Sequence, residues 1–131
     1  MSRFETLIVD DDRIITMLHQ RMVIKSGLHQ EPRLFYSGQD ALNFIRNNRN
    51  DRYLVLLDIN MPVVSGWDFL DTLCAENLTE HVRVAMVTSS VDAADMARAQ
   101  MYSVVFDYID KPLTLKKLDD LQQSDQLASI M

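Results

Sequence analysis

The sequence predicts an α/β fold in which a parallel sheet is covered by helices on both faces. Two regularities predict this class: short apolar runs alternate with segments of helical apolar spacing, and most of the apolar runs end in a polar residue. The clearest run is residues 54–57, where four apolar residues lead into Asp58 and then into a loop closed by Pro62. A continuous apolar strand of this kind is typical of a sheet that is buried on both faces.

Five strands are predicted, each followed by a helix. The strands are expected at residues 6–10, 33–36, 53–58, 82–88 and 106–110. Ser37 and Ser65 are each followed by an aspartate three residues later, which is a helix-start pattern. The fourth helix, led by Ser89, Ser90 and Asp92, is expected to reach about residue 101, and the last helix begins at Thr114 with an apolar stripe of leucines.

The first helix follows Asp10-Asp11-Asp12 and is expected to end at Ser26-Gly27. Its apolar positions Ile15, Leu18 and Met22 predict the face that packs on the sheet. With short right-handed connections, the five units predict a flavodoxin-like, doubly wound (βα)5 domain with strand order 2-1-3-4-5.

One domain is expected over residues 1–131, with its core at about 6–121. Ser124-Asp125-Gln126 interrupts the apolar stripe of the last helix. Residues 124–131 are therefore expected either to fray or to dock on a partner.

The composition excludes several function classes. The chain has 131 residues, is 47% apolar and carries a net charge of −6 without a basic cluster, which argues against direct nucleic-acid binding. Its apolar runs are shorter than the roughly 18 residues that suggest a membrane span, and its N-terminus lacks the apolar segment of a signal peptide. We therefore expect a cytoplasmic protein, a monomer or weak dimer, with protein partners.

The single cysteine and the three histidines have plain structural interpretations. Cys74 is expected to be a small buried residue of the third helix. His19, His29 and His81 are expected to lie away from the acidic edge of the sheet. The fourth helix is rich in alanine and is expected to be loosely held.

Three carboxylates are expected to converge at one edge of the sheet. The predicted strand order makes Asp10 and Asp58 neighbours at the carboxyl ends of strands, where ligand sites of open α/β sheets lie. Two carboxylates ~4 Å apart repel by about 4 kcal/mol at an effective dielectric near 20. Asp10, Asp11 and Asp58 therefore predict a bound cation, and Mg²⁺ fits an oxygen-rich site that leaves positions for water and phosphate.

Thr88 and Lys111 end the fourth and fifth strands and add a hydroxyl and an ammonium group to the same edge. This set can neutralise a phosphoryl group while a flanking carboxylate acts as nucleophile and forms an acyl phosphate. Each residue also has a plain alternative. Asp58 could cap a turn, Asp11 could be a first-turn acid, Thr88 an ordinary strand residue and Lys111 a solvated charge.

Together these motifs resemble the receiver domain of two-component response regulators, over about residues 6–121. The resemblance is carried by Asp10-Asp11, Asp58-x-x-Met61-Pro62-x-x-x-Gly66, Thr88-Ser89 and Tyr108-x-x-Lys111-Pro112. It implies that Asp58 accepts a phosphoryl group from a sensor histidine kinase or a histidine phosphotransfer protein. It also implies that Asp10, Asp11 and Asp58 hold Mg²⁺ together with the backbone carbonyl of Asn60.

The resemblance further implies that Thr88 and Lys111 bind the phosphoryl oxygens and that Tyr108 turns inward when Thr88 moves. Lys111-Pro112 would be a cis peptide. Output would pass to an unknown protein target through the face made by the fourth helix, fifth strand and fifth helix. Such a domain catalyses only its own phosphorylation and dephosphorylation.

One departure from the family pattern concerns the end of the fourth helix. Residues 101–105 contain no glycine, so this end must close differently from many receivers. Two rival functions stay open: a haloacid-dehalogenase-type phosphatase with Asp10 as nucleophile, which leaves Asp58 unexplained, and a pseudo-receiver that never carries phosphate.

Overall fold

The computed structural model describes residues 2–89 and 92–131 and shows a five-stranded parallel sheet in the order β2-β1-β3-β4-β5. The strands are β1 (Phe4–Val9), β2 (Arg33–Phe35), β3 (Arg52–Leu57), β4 (Val82–Thr88) and β5 (Val105–Asp110). The helices are α1 (Arg13–Ser26), α2 (Gly38–Asn47), α3 (Gly66–Ala75), α4 (Ala93–Ala99), α5 (Leu115–Gln122) and α6 (Asp125–Ala128). The predicted class and strand order are confirmed.

The helix starts follow the predicted caps. The Ser37 side chain accepts a hydrogen bond from the Asp40 amide, and Ser65 and Asp68 form a reciprocal capping box. Asp12 caps α1, and Gly27, with φ of 82°, ends it in the left-handed conformation that glycine adopts without strain.

Strand β3 lies at the centre of the sheet and divides the core into two layers. Successive strand residues point to opposite faces. Val55 and Leu57 belong to the cluster under α2 and α3, whereas Leu54 and Leu56 belong to the cluster under α1 and α5. All four are fully buried, as the apolar run predicted.

The buried face of α1 differs from the prediction. Thr16, His19 and Val23 are the buried residues of α1, and Met22 packs against the core as predicted, whereas Leu18 is 44% exposed and Ile15 is half-buried. Apolar residues surround this helix, so their spacing alone does not determine which side packs on the sheet. Cys74 is also exposed rather than buried, because the inward face of α3 passes through Leu70 and Leu73 instead.

The C-terminal segment packs on the domain instead of fraying. Residues 125–128 form α6, and Leu127 and Ile130 are buried in the layer under α1 and α5. The Ile130 carbonyl accepts a hydrogen bond of 3.0 Å from Nη1 of Arg52, at the start of β3. The interruption at Ser124 is a helix cap between α5 and α6.

Helix α4 is shorter than predicted, and Ser90 of its expected lead lies outside the described residues. As expected, the helix ends without glycine. Gln100 has a right-handed helical conformation, and the backbone amide of Tyr102 donates to the Ala99 carbonyl. The register between β4 and β5 then shifts next to Val84. Within the described chain, no helix is long and apolar enough to cross a membrane.

Candidate functional site

Asp10 and Asp58 lie side by side at the carboxyl edge of the sheet. Val9 and Leu57, the last residues of β1 and β3, are paired in register, so the two aspartates follow neighbouring strand ends. The Asp58 amide donates to the Val9 carbonyl at 3.0 Å. Both carboxylates are nearly buried, with residue exposures of 3% and 7%.

Asp11 completes a cluster of three carboxylates. One oxygen from each of Asp10, Asp11 and Asp58 lies within 4.8 Å of the other two, and Asp11 is exposed to solvent. These hard oxygen donors could hold a metal ion, and an arrangement with one open side suits a cation that keeps water ligands. Asp12 caps α1 instead, accepting from the Ile14 and Ile15 amides.

Lys111 places its ammonium group between the two buried carboxylates. Its Nζ lies 2.7 Å from Oδ2 of Asp10 and 3.6 Å from Oδ2 of Asp58. The Lys111 amide donates to the Thr88 carbonyl at 3.0 Å, which ties together the ends of β4 and β5. Lys111 is therefore part of the site rather than a solvated charge, and its peptide bond to Pro112 is cis.

Burial and a neighbouring carboxylate both disfavour the ionised form of Asp58. Burial raises the pKa of Asp58, and the charge of Asp10 raises it further. Lys111 and the amides of Ile59 and Asn60 act in the opposite direction without reversing the shift. A cation bound by the three carboxylates would favour ionised Asp58, which is the form that can act as a nucleophile.

Thr88 and Tyr108 occupy the two neighbouring strands β4 and β5. Thr88 is fully buried at the end of β4, and Tyr108 is half-buried on β5, two residues before the partner of Thr88 in register. Asn60 is exposed in the loop that follows Asp58. The structure thus brings every predicted site residue to one edge of the sheet, or to the strand or loop next to it.

The loop from Asn60 to Gly66 is shaped by two close contacts. A Cβ atom on Gly66 would lie 2.6 Å from the Asp58 carbonyl oxygen, so only glycine fits there. At the loop tip the Val64 amide donates to the Pro62 carbonyl around Val63, whose φ is 65°. A positive φ is rare for a β-branched residue, so this tip is strained.

His19 lies close to the acidic edge, contrary to the prediction. It is buried, and burial together with the charge of Lys111 lowers its pKa to about 4, although Asp10 acts in the opposite direction. The sequence did contain a signal for this position. Asp12, Thr16 and His19 follow one another at helical spacing, which places His19 on the same face of α1 as Thr16. His29 and His81 lie away from the acidic edge, as predicted. The His29 ring lies beside Phe4, and the His81 carbonyl accepts a hydrogen bond from the Tyr53 amide.

An apolar cavity opens beside Lys111, between α1 and the start of α5. It measures about 380 Å³. It is lined by Ile15, Leu18, His19, Met22, Lys111, Pro112 and Leu113. Ile14, one turn before Leu18, is 66% exposed, so α1 presents apolar surface next to the site.

Comparison with known proteins assigns the family. The sequence profile of the response regulator receiver domain matches residues 6–123. The chain is 33% identical over 130 residues to a protein-glutamate methylesterase/protein-glutamine glutaminase of Halalkalibacterium halodurans, covering 92% of this chain and 35% of that protein. It is 29% identical to a hybrid signal transduction histidine kinase G of Dictyostelium discoideum, covering 86% of this chain and 3% of that protein.

Solved structures agree with this assignment. A two-component response regulator from Cytophaga hutchinsonii superposes with a TM-score of 0.82 at 25% identity, covering 98% of this chain and 99% of that one. A CheY-like receiver domain protein from Methanospirillum hungatei gives a TM-score of 0.73 at 25% identity, covering 97% and 96%.

The chain belongs to the response regulator receiver domain family. It is a signalling domain homologous to CheY-like phosphoacceptor domains, a family distinct from the haloacid-dehalogenase-type phosphatases. Because the chain spans only a small part of several curated relatives, the activities in their names belong to those whole proteins.

Proposed function

We propose that Asp58 accepts a phosphoryl group from a sensor histidine kinase or a histidine phosphotransfer protein. The supporting observation is the position of Asp58, which is held at the sheet edge beside two further carboxylates and within 3.6 Å of the Lys111 ammonium. In the transfer, an Asp58 oxygen forms a bond to phosphorus and the bond between phosphorus and the donor imidazole nitrogen breaks. The imidazole leaves with its electron pair and takes up a proton.

The remaining residues of the edge stabilise the transferred group. Asp10, Asp11, Asp58 and the Asn60 carbonyl would hold Mg²⁺, which when bound neutralises charge on the phosphoryl oxygens. Lys111 donates to one phosphoryl oxygen and Thr88 donates its hydroxyl to another. Hydrolysis of the acyl phosphate at the same site ends the signal, so the domain catalyses only its own phosphorylation and dephosphorylation.

The first prediction tests Asp58 as the acceptor. With Mg²⁺ and acetyl phosphate, the wild type should gain one phosphoryl group by intact-mass spectrometry, and Asp58→Asn should gain none. Asp11→Asn, which alters an exposed carboxylate, should require a higher Mg²⁺ concentration for the same labelling.

Asp40→Asn is the matched control, because Asp40 is an exposed aspartate on α2. It should label like the wild type. Equal labelling of the wild type and Asp58→Asn would refute Asp58 as the acceptor. No labelling of the wild type, from acetyl phosphate or from a phosphohistidine donor, would instead favour the pseudo-receiver.

We also propose that the histidine donor docks on the apolar surface of α1. Ile14 and Leu18 are exposed there, and the cavity beside Lys111 opens next to them. Exposed apolar patches at a site rim are typical of protein interfaces. A donor seated there would bring its phosphorylated histidine to the carboxyl edge of the sheet.

The second prediction separates docking from chemistry. Leu18→Glu should reduce the rate of transfer from a phosphorylated histidine phosphotransfer domain by about tenfold or more, the equivalent of roughly 1.4 kcal/mol, without changing labelling by acetyl phosphate. Met101→Glu, which alters an exposed methionine next to α4, is the control. An unchanged transfer rate in Leu18→Glu would contradict docking on α1.

Output is proposed to pass to a protein target through the face made by α4, β5 and α5, with Thr88 and Tyr108 coupling this face to Asp58. Thr88 and Tyr108 lie on the paired strands β4 and β5, and Met96 and Ala99 of α4 line a cavity together with Tyr108. A cytoplasmic location, a monomeric or weakly dimeric state and the absence of direct nucleic-acid binding stay predictions.

A further inference from the structure

A cluster of four side chains joins α3 to the end of α4. The Trp67 and Tyr102 rings stack with centroids 6.0 Å apart and an interplanar angle of 22°. The Arg98 guanidinium lies over the Trp67 ring, 4.5 Å from its centroid. The Tyr102 hydroxyl donates to Oδ1 of Asp71 at 2.6 Å. We call these four residues the α3–α4 clamp.

The clamp is anchored in the core on the α3 side, whereas α4 has little buried surface. Trp67 is 9% exposed and belongs to the core layer under α2 and α3. In contrast, Ala99 is the one buried residue of helix α4, and Met96 is 43% exposed. A helix with so little buried surface depends on surface contacts such as that of Arg98 for its position.

The α3 side of the clamp is also joined to the acceptor loop. Gly66, the residue before Trp67, lies against the Asp58 carbonyl and donates its amide to the Ile59 carbonyl at 2.8 Å. A Cβ atom on Gly66 would lie 2.6 Å from the Asp58 carbonyl oxygen, so the two backbone segments pack closely and a shift of Asp58 would act on Gly66. A continuous series of contacts therefore runs from Asp58 through Gly66 and Trp67 to Arg98.

We propose that the α3–α4 clamp holds α4 in the conformation seen here and couples it to Asp58 through Gly66 and Trp67. This route is separate from the one through Thr88 and Tyr108 on β4 and β5. Arg98 and Trp67 act as positioning residues, since neither reaches the phosphoryl site. The holding role concerns the unphosphorylated domain alone, whereas the coupling role rests on the proposed phosphorylation of Asp58.

The first test uses unphosphorylated protein and so does not depend on the proposed function. Arg98→Met keeps the length of the side chain but removes its charge and planar group. Amide exchange in α4, measured by NMR, should become about twofold to fivefold faster, as expected for one exposed cation–π contact. Arg98→Lys should restore part of the protection, and Arg21→Met, an exposed arginine of α1, should leave α4 unchanged.

The second test follows the single tryptophan of the chain. Acetyl phosphate and Mg²⁺ should change Trp67 fluorescence in the wild type, and Arg98→Met should reduce this change although its mass shift shows full labelling of Asp58. If α4 exchange in Arg98→Met equals that of the wild type, the holding role is wrong. If Arg98→Met is fully labelled and still shows the complete fluorescence change, the coupling role is wrong. If the wild type is not labelled at all, the proposed function is wrong, but the holding role of the clamp is unaffected.

Discussion

At the scale of single residues, the acidic edge combines burial with like charge. Asp10 and Asp58 are both nearly buried, and Lys111 contacts both of them. Burial raises the pKa of Asp58, the charge of Asp10 raises it further, and Lys111 offsets only part of this shift. A cation held by Asp10, Asp11 and Asp58 would offset this shift and would compete with Lys111 for the oxygens of Asp10.

His19 adds a pH dependence to this edge. Its pKa falls from an ordinary 6.5 to about 4 on folding, chiefly because it is buried. Between these values the unfolded chain binds a proton that the folded chain does not, so stability rises with pH from about 4 to 6.5 and is fully present above that range.

The third prediction is that His19→Gln removes this component. The wild type should lose up to about 3 kcal/mol more unfolding free energy than His19→Gln between pH 6.5 and 4, measured by urea denaturation. Using the difference between variants cancels the opposite contribution of Asp58, whose raised pKa favours the folded state at low pH. If the unfolding free energy fell with pH as steeply in His19→Gln as in the wild type, His19 would not be the source of this pH dependence.

At the scale of elements, the loop between β3 and α3 positions the acceptor. Its end is fixed by the contact of Gly66 with the Asp58 carbonyl, and its start by the Asp58 amide, which donates to Val9. The Ser65–Asp68 capping box then begins α3. The loop is therefore attached at both ends to rigid elements, while its strained tip at Val63 stays exposed.

The fourth prediction concerns the close approach at Gly66. Gly66→Ala should lower the unfolding free energy by about 1–3 kcal/mol and slow labelling by acetyl phosphate, because the new methyl group meets backbone atoms of Asp58 and Ile59. Gly38→Ala is the comparison variant, since its methyl group would meet the Val64 side chain first, at 2.8 Å, and the Val64 carbonyl oxygen only at 3.3 Å. Equal losses in the two variants would show that backbone contact is not the cause.

At the scale of the whole molecule, the sheet separates two core layers, and the C-terminal helix closes one of them. Leu127 is fully buried in the layer under α1 and α5. Arg83 adds a hydrogen bond of 3.2 Å to Ser129, beside the bond of Arg52 to Ile130. Residues 125–130 are thus attached to the starts of β3 and β4, at the edge opposite the acidic site.

The fifth prediction is that α6 contributes to the stability of the domain. Leu127→Ala should cost about 2–4 kcal/mol of unfolding free energy by thermal or urea denaturation, because it leaves a cavity in the core. Met131→Ala, at a 54% exposed side chain, should change it by less than about 0.5 kcal/mol. If Leu127→Ala left the unfolding free energy unchanged, α6 would be detached from the domain in solution.

The sequence by itself determined the fold class, the strand order and the edge where Asp10, Asp58, Thr88 and Lys111 meet. These features depend on local patterns, namely apolar runs, helix caps and polar strand ends, and the short connections of a parallel sheet leave few ways to arrange them. The glycine-free end of α4 was likewise predictable, although its actual geometry was not.

Only the tertiary structure decided which side of α1 faces the core, that Cys74 is exposed, that His19 lies near Lys111, and that α6 packs on the domain. Each depends on how a helix is rotated or where it docks. A helix with apolar residues on several sides, such as α1, can bury any of them, and the choice is made by contacts with residues distant in the chain. The α3–α4 clamp has the same origin, since Trp67 and Arg98 are brought together only by the packing of α3 against the end of α4.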